Sequence, residues 1–178
     1  MSRISQDAVA KALIAAQAMD HPEKQQLVDE VFRVQPNLLA SVLALPSFGI
    51  AMPKADFALD VLFVCYLAMK ESGLPWPLIT EDEQDEQMRR FTAIAHFGSE
   101  LDVPKQNRSM QHYIAGHPEK PLLAYVMTET AKWTARVAPE ESDKHVLLTI
   151  WNLVNCIAFV ALPSQKAKQS GAPKRRKP

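Results

Sequence analysis

Glycine and proline punctuate this chain at intervals that suit helices and little else. Only five glycines occur in 178 residues, and Gly49, Gly73, Gly98 and Gly116 each stand where a helix-like apolar segment should stop. Glycine there can take the left-handed backbone that closes a helix, without the penalty a Cβ would bring. Pro22, Pro53, Pro104 and Pro118 stand where a helix can begin, and Pro46, Pro75 and Pro163 where one should have ended. Apolar spacing between these marks predicts helices over residues 6–19, from 22, over 36–45, over 54–71, from 81, over 106–115, around 122–137 and over 141–162. Thr80 and Glu83 have the spacing of a capping box at the fifth of these. No segment sustains apolar–polar alternation between turn signals. The sequence therefore predicts an all-α, single-domain bundle of about seven to eight helices.

Charge divides the chain where apolar content does. Six of its 20 Lys and Arg, and none of its 20 Asp and Glu, fall in residues 164–178, which leaves 1–163 at −6. With no side chain larger than alanine among its apolar residues, this segment cannot pack a core and is expected to be a disordered basic tail on a globular domain of residues 1–163. Lys174, Arg175, Arg176 and Lys177 could meet phosphates without sequence preference, though no aromatic residue is interleaved to stack bases. The apolar run 146–162 is at the short limit for a membrane span, and Thr149, Asn152 and Asn155 give it a polar face, so a core helix is expected and a membrane role is not. Two cysteines, Cys65 and Cys156, each inside an apolar run, suit buried reduced thiols and a cytoplasmic setting.

Catalytic signatures are missing: there is no phosphate-binding glycine loop, nucleophile elbow, C-x-x-C or H-E-x-x-H. No metal or cofactor is expected. His112 and His117 are five residues apart, so they do not share a helix face, and with Glu119 they read as a solvated helix terminus rather than a metal site. Asp60 is the one ionisable residue in the apolar run 57–69. It is expected on a solvent edge. Buried instead, it would need a partner and would mark a polar pocket. His145, Thr149, Asn152 and the adjacent Asn155 make a polar stripe on the last helix that could line such a pocket between the fourth and last helices.

Two apolar loops flank the fourth helix. Phe48, Ile50 and Met52 lie in one, and Leu74, Trp76, Leu78 and Ile79 in the other, where Pro75 and Pro77 stiffen the backbone around the tryptophan. These residues either cap the core or form a contact patch for a protein partner or a second copy of the chain. Finally, HPEK occurs twice, at 21–24 and 117–120, each time ahead of an amphipathic helix. The preferred explanation is shared helix-start chemistry, proline near the first position and glutamate in the first turn, rather than duplication. The leading functional expectation is a non-enzymatic interaction protein docking through the apolar loops. Accessory nucleic-acid binding by the tail comes second, and an enzyme or small-ligand binder with a polar pocket third.

Overall fold

A computed structural model describes residues 2–99 and 103–163. Among these residues there is no strand, and the chain forms eight α-helices: α1 (Gln6–Ala18), α2 (His21–Val34), α3 (Pro36–Leu43), α4 (Met52–Glu71), α5 (Glu81–Ser99), α6 (Val103–Gly116), α7 (Lys120–Thr134) and α8 (Asp143–Phe159). The all-α bundle is as the sequence predicts. The third predicted helix breaks at Leu43 and resumes as a 3₁₀ turn, Leu45–Phe48, which carries Pro46. Gly98 lies next to Ser99, the last described residue of α5. Gly49 and Gly73 do close their elements, at φ +79° and +64°.

Local chemistry starts the helices. The Ser5 hydroxyl accepts from the Ala8 N–H at 3.1 Å. Asp20 and Glu23 form a reciprocal capping box at α2. Thr80 and Glu83 do the same at α5, with bonds of 2.7 and 3.2 Å.

The core is built on α4, which buries ten of its 20 residues, Val61 to Tyr66 without interruption. Helix α1 lies along it, burying the small side chains Ala8, Val9 and Ala12, which permit close approach. Helices α3 and α8 complete the shell around α4, and α8 carries α5 and α7 on its outer sides. Both cysteines are buried and unpaired. Among the described residues, no helix is long and apolar enough to cross a membrane.

Two polar fasteners fix the ends of the bundle. At the α4 N-terminus, Lys54 bonds Asp143 on α8 at 2.5 Å and Glu140 at 3.0 Å. At the opposite end, Arg3 donates to Glu119 at 2.7 Å and to the carbonyls of Ile157, Ala158 and Val160, which the end of α8 leaves unpaired. The Arg3 guanidinium also lies 4.7 Å from the centre of the Trp76 ring. The 74–79 loop is held by Gln35, wholly buried, which donates to the Pro77 carbonyl at 2.7 Å and accepts from the Ile79 N–H at 3.0 Å.

A polar, aromatic cavity between α5, α6 and α8

Helical spacing brings the walls of one cavity together. From α5 come Gln87, Arg90, Phe91 and Ile94, at positions i, i+3, i+4 and i+7. From α6 come His112, Tyr113 and Gly116, with His117 next in sequence, and from α8 come Asn155 and Phe159, one turn apart. The space between them measures about 230 Å³.

Rings frame it. Phe91 stacks on Trp151 at 5.3 Å between centroids and tilts against Tyr113 at 5.9 Å. His117 packs between Tyr113, at 5.7 Å, and the edge of Phe159, at 5.9 Å. At the rim, the exposed Arg90 places its guanidinium 4.8 Å from the centre of the Phe159 ring.

Polar groups converge inside this frame. The Tyr113 hydroxyl donates to Asn155 Oδ1 at 2.5 Å. Burial raises the Tyr113 phenol to about 12, so it stays protonated and able to donate. His117 is 2% exposed. Its Nδ1 accepts the Glu119 backbone N–H at 3.2 Å, which puts the proton of a neutral imidazole on Nε2. That Nε2 is buried and has no hydrogen-bond partner. Burial holds the imidazole below its ordinary 6.5, and the neighbouring Asn155 and Glu119 oppose that shift without reversing it. Neutral His117 thus sits in the cavity wall with its Nε2 covered by protein, and the Asn155 side chain beside it is the group that most favours its proton.

The sequence expectation for His117 and Glu119 is overturned here. Neither is a solvated terminus: Glu119 is wholly buried and accepts from the backbone N–H of Arg3 and Ile4 as well as from the Arg3 side chain. Distant residues cover both, through contacts no local pattern announces.

The proposed polar stripe on α8 is dispersed. His145 stacks on Phe48 at 5.4 Å, at the far end of the helix from the cavity. Thr149 is half-buried. Asn152 is buried, donating to the Gln84 carbonyl at 3.1 Å, with its Oδ1 unpartnered. Only Asn155 reaches the cavity. Asp60 joins none of them: its side chain is 60% exposed and pairs with Lys24 of α2 at 2.9 Å. The expected solvent edge is where it lies, so no pocket forms between it and α8.

The apolar loops fare differently at their two ends. Helix α4 spans 20 residues, about 30 Å at 1.5 Å per residue, and separates them. Phe48 and Met52 are exposed at its start, at 58% and 61%, while Ile50 beside them is buried. At the other end Ile79 is buried, Leu74 and Trp76 are half-buried, and Leu78 is exposed. The Trp76 indole N–H is bonded to the Met69 carbonyl at 3.0 Å and to Ser72 Oγ at 2.9 Å, so this ring caps α4 rather than standing free. Lys174, Arg175, Arg176 and Lys177 lie outside the described residues.

Sequence reasoning missed Arg90, Gln87, Tyr113 and Phe159. The signal for α5 was present, since 87, 90, 91 and 94 fall on one helical face that mixes aromatic with polar residues. Comparison with protein-family models, curated proteins and solved structures finds no match to this chain.

Proposed function

We propose that this protein binds a small molecule in the cavity between α5, α6 and α8. One observation carries this reading: a cavity of about 230 Å³ framed by aromatic rings, in whose walls the polar side chains of Gln87, Arg90, Tyr113, His117 and Asn155 converge. Binding rather than catalysis is the reading, because the polar groups around the cavity, donors and acceptors alike, are held by hydrogen bonds within an aromatic frame. None of them forms a nucleophile–base pair. The cavity is smaller than the roughly 300–1,000 Å³ that drug-sized ligands occupy, which points to a compact ligand. A cytoplasmic setting belongs to the same reading, supported by the two unpaired buried thiols.

Gly116 provides the test. It lines the cavity, its φ is not positive, and a Cβ built there meets no atom within 4 Å. Gly116→Leu therefore adds bulk at the cavity wall without backbone strain. A screen of small anionic, neutral and cationic compounds by thermal shift should find binders to the natural chain that Gly116→Leu loses, with unchanged far-UV circular dichroism. Binders that Gly116→Leu retains equally, or none at all, would reject the reading.

Protein contact is the second reading, on a narrower footing than the sequence suggested. Leu43, Phe48 and Met52 are all exposed within ten residues, at the α4 N-terminal end. The occupant that suits this footing is a second copy of the chain, through a small and weak interface, since three side chains cannot cover a standard one. Light scattering at rising concentration should then show a dimer that Phe48→Glu abolishes. A monomer at all concentrations removes this reading.

A further inference from the structure

Charge is sorted within the folded body as well as between body and tail. Residues 1–163 carry −6, yet no Asp or Glu occurs in 87–99, in 103–118 or anywhere after Asp143. Those stretches hold most of α5, all of α6 and nearly all of α8, the three helices around the cavity. Glu100 and Asp102 stand between the first two in sequence, outside the described residues. Arg90 of α5 and His112 of α6 both line the cavity and both are exposed, which puts them on one side of the molecule. Arg108 precedes His112 by four residues and follows Lys105 by three, so helical spacing sets these three exposed residues on one face of α6. Among the described residues no carboxylate pairs with Arg90 or Arg108, whereas Arg3, Lys11, Lys24, Lys54 and Lys70 each have one. Phe159, 39% exposed, carries the Arg90 guanidinium over its ring at 4.8 Å. It is also the last residue of α8, so the tail with its six cations follows from this same side.

We propose that this basic face binds single-stranded nucleic acid. Phosphates meet Arg90, Arg108 and the tail, and one base extends the stack that Phe159 and the Arg90 guanidinium begin. The acidity of the body does not oppose this, because its carboxylates lie on other surfaces and leave a local positive field here. The exposed ring selects the single strand: an unpaired base has a free face to stack on it, whereas a duplex keeps its bases inside and offers phosphates alone. This goes beyond the small-molecule reading and needs no occupant in the cavity.

Fluorescence anisotropy of a labelled single strand of about 15 nucleotides reads the binding, with the full chain throughout. Affinity should fall as salt rises. Arg90→Gln with Arg108→Gln, both at exposed positions, should weaken it and flatten the slope of log K against log salt by about 1.4, at about 0.7 for each phosphate contact. Phe159→Leu keeps an apolar side chain and should weaken the single strand by about tenfold, while that slope and the affinity for a duplex of the same sequence stay unchanged. Lys174→Gln, Arg175→Gln, Arg176→Gln and Lys177→Gln together should weaken binding without abolishing it. Far-UV circular dichroism should be the same for all. No binding, or binding that vanishes with the tail charges and ignores Arg90 and Arg108, would overturn the folded face. An equal response of single strand and duplex to Phe159→Leu would overturn the single-strand assignment. Tighter binding to phosphatidylserine vesicles than to the oligonucleotide would overturn nucleic acid as the partner.

Discussion

The two copies of HPEK are the same four residues put to opposite uses. In the first, His21 is exposed, Pro22 sits in the first turn of α2, and Glu23 reaches back to the Asp20 N–H in a capping box that solvent surrounds. In the second, the helix has not begun: α7 starts at Lys120, and Glu119, just before it, makes no side-chain cap bond. Its carboxylate turns instead to Arg3 and Ile4, 116 and 115 residues away in sequence, and the buried His117 joins the wall of the α5–α6–α8 cavity. Helix-start chemistry explains the first copy and not the second. What differs is cover. Nothing packs over His21, whereas the N-terminal segment, the end of α8 and the rings of Tyr113 and Phe159 enclose the second copy. A short motif dictates local geometry, and the rest of the chain decides whether that geometry faces water.

The glutamates should show the largest contrast. Glu119→Ala removes a buried carboxylate that satisfies three N–H donors and leaves the mostly buried Arg3 without its counter-charge. Breaking such a pair should cost about 3 kcal/mol. Glu23→Ala removes half of an exposed capping box and should cost about 0.5–1 kcal/mol. Urea denaturation of both variants measures the difference. Equal losses would mean that the Arg3 clasp is not an anchor of the fold.

The histidines come next. Below pH 6.5 the unfolded chain takes a proton at residue 117 more readily than the folded chain does, because burial lowers the folded value. The stability that neutral His117 contributes is therefore full above about 6.5 and is lost as the pH falls through the folded value. Between about pH 7.5 and about pH 5.5 the natural chain should lose stability that His117→Phe retains. A His117→Phe variant with the same acid sensitivity as the natural chain would show that residue 117 does not carry the effect. Smaller again is Tyr113→Phe, which deletes one hydrogen bond and leaves Asn155 Oδ1 short of a donor, for about 1 kcal/mol by thermal unfolding.

How much of this was legible depended on whether the deciding partner was local. Thr80 with Glu83, the turns at Gly49 and Gly73, and the periodicity of α4 all lie within a few residues of their cause, and the sequence reading of them holds. Trp76 did not yield as readily. Its prolines advertise a stiff loop, but the Arg3 guanidinium over its ring comes from 73 positions earlier. The α8 stripe failed for a related reason. Residues at three- and four-residue spacing do share a broad face, yet three different neighbours divide it: Phe48 beside His145, α5 beside Asn152 and α6 beside Asn155. Asp60 and Asn155 were grouped by polarity, and only tertiary packing could separate them.

At the fourth letter the two copies converge, and that sets the limit of the contrast. Lys24 pairs with Asp60 at 2.9 Å, but the two side chains are 39% and 60% exposed, so water and salt screen most of the attraction. Lys120 is exposed too, and the hydrogen bond it makes, to Ser2 Oγ at 3.3 Å, comes from its backbone N–H, which any residue but proline provides. Lys24→Ala should therefore cost at most about 0.5 kcal/mol and Lys120→Ala about nothing, with the double variant additive because the two sites share no partner. Denaturation midpoints at low and high salt would check this. A large or salt-resistant loss at Lys120 would mean that the second copy is buried through all four of its residues, and that the division between solvent and core does not fall after Glu119.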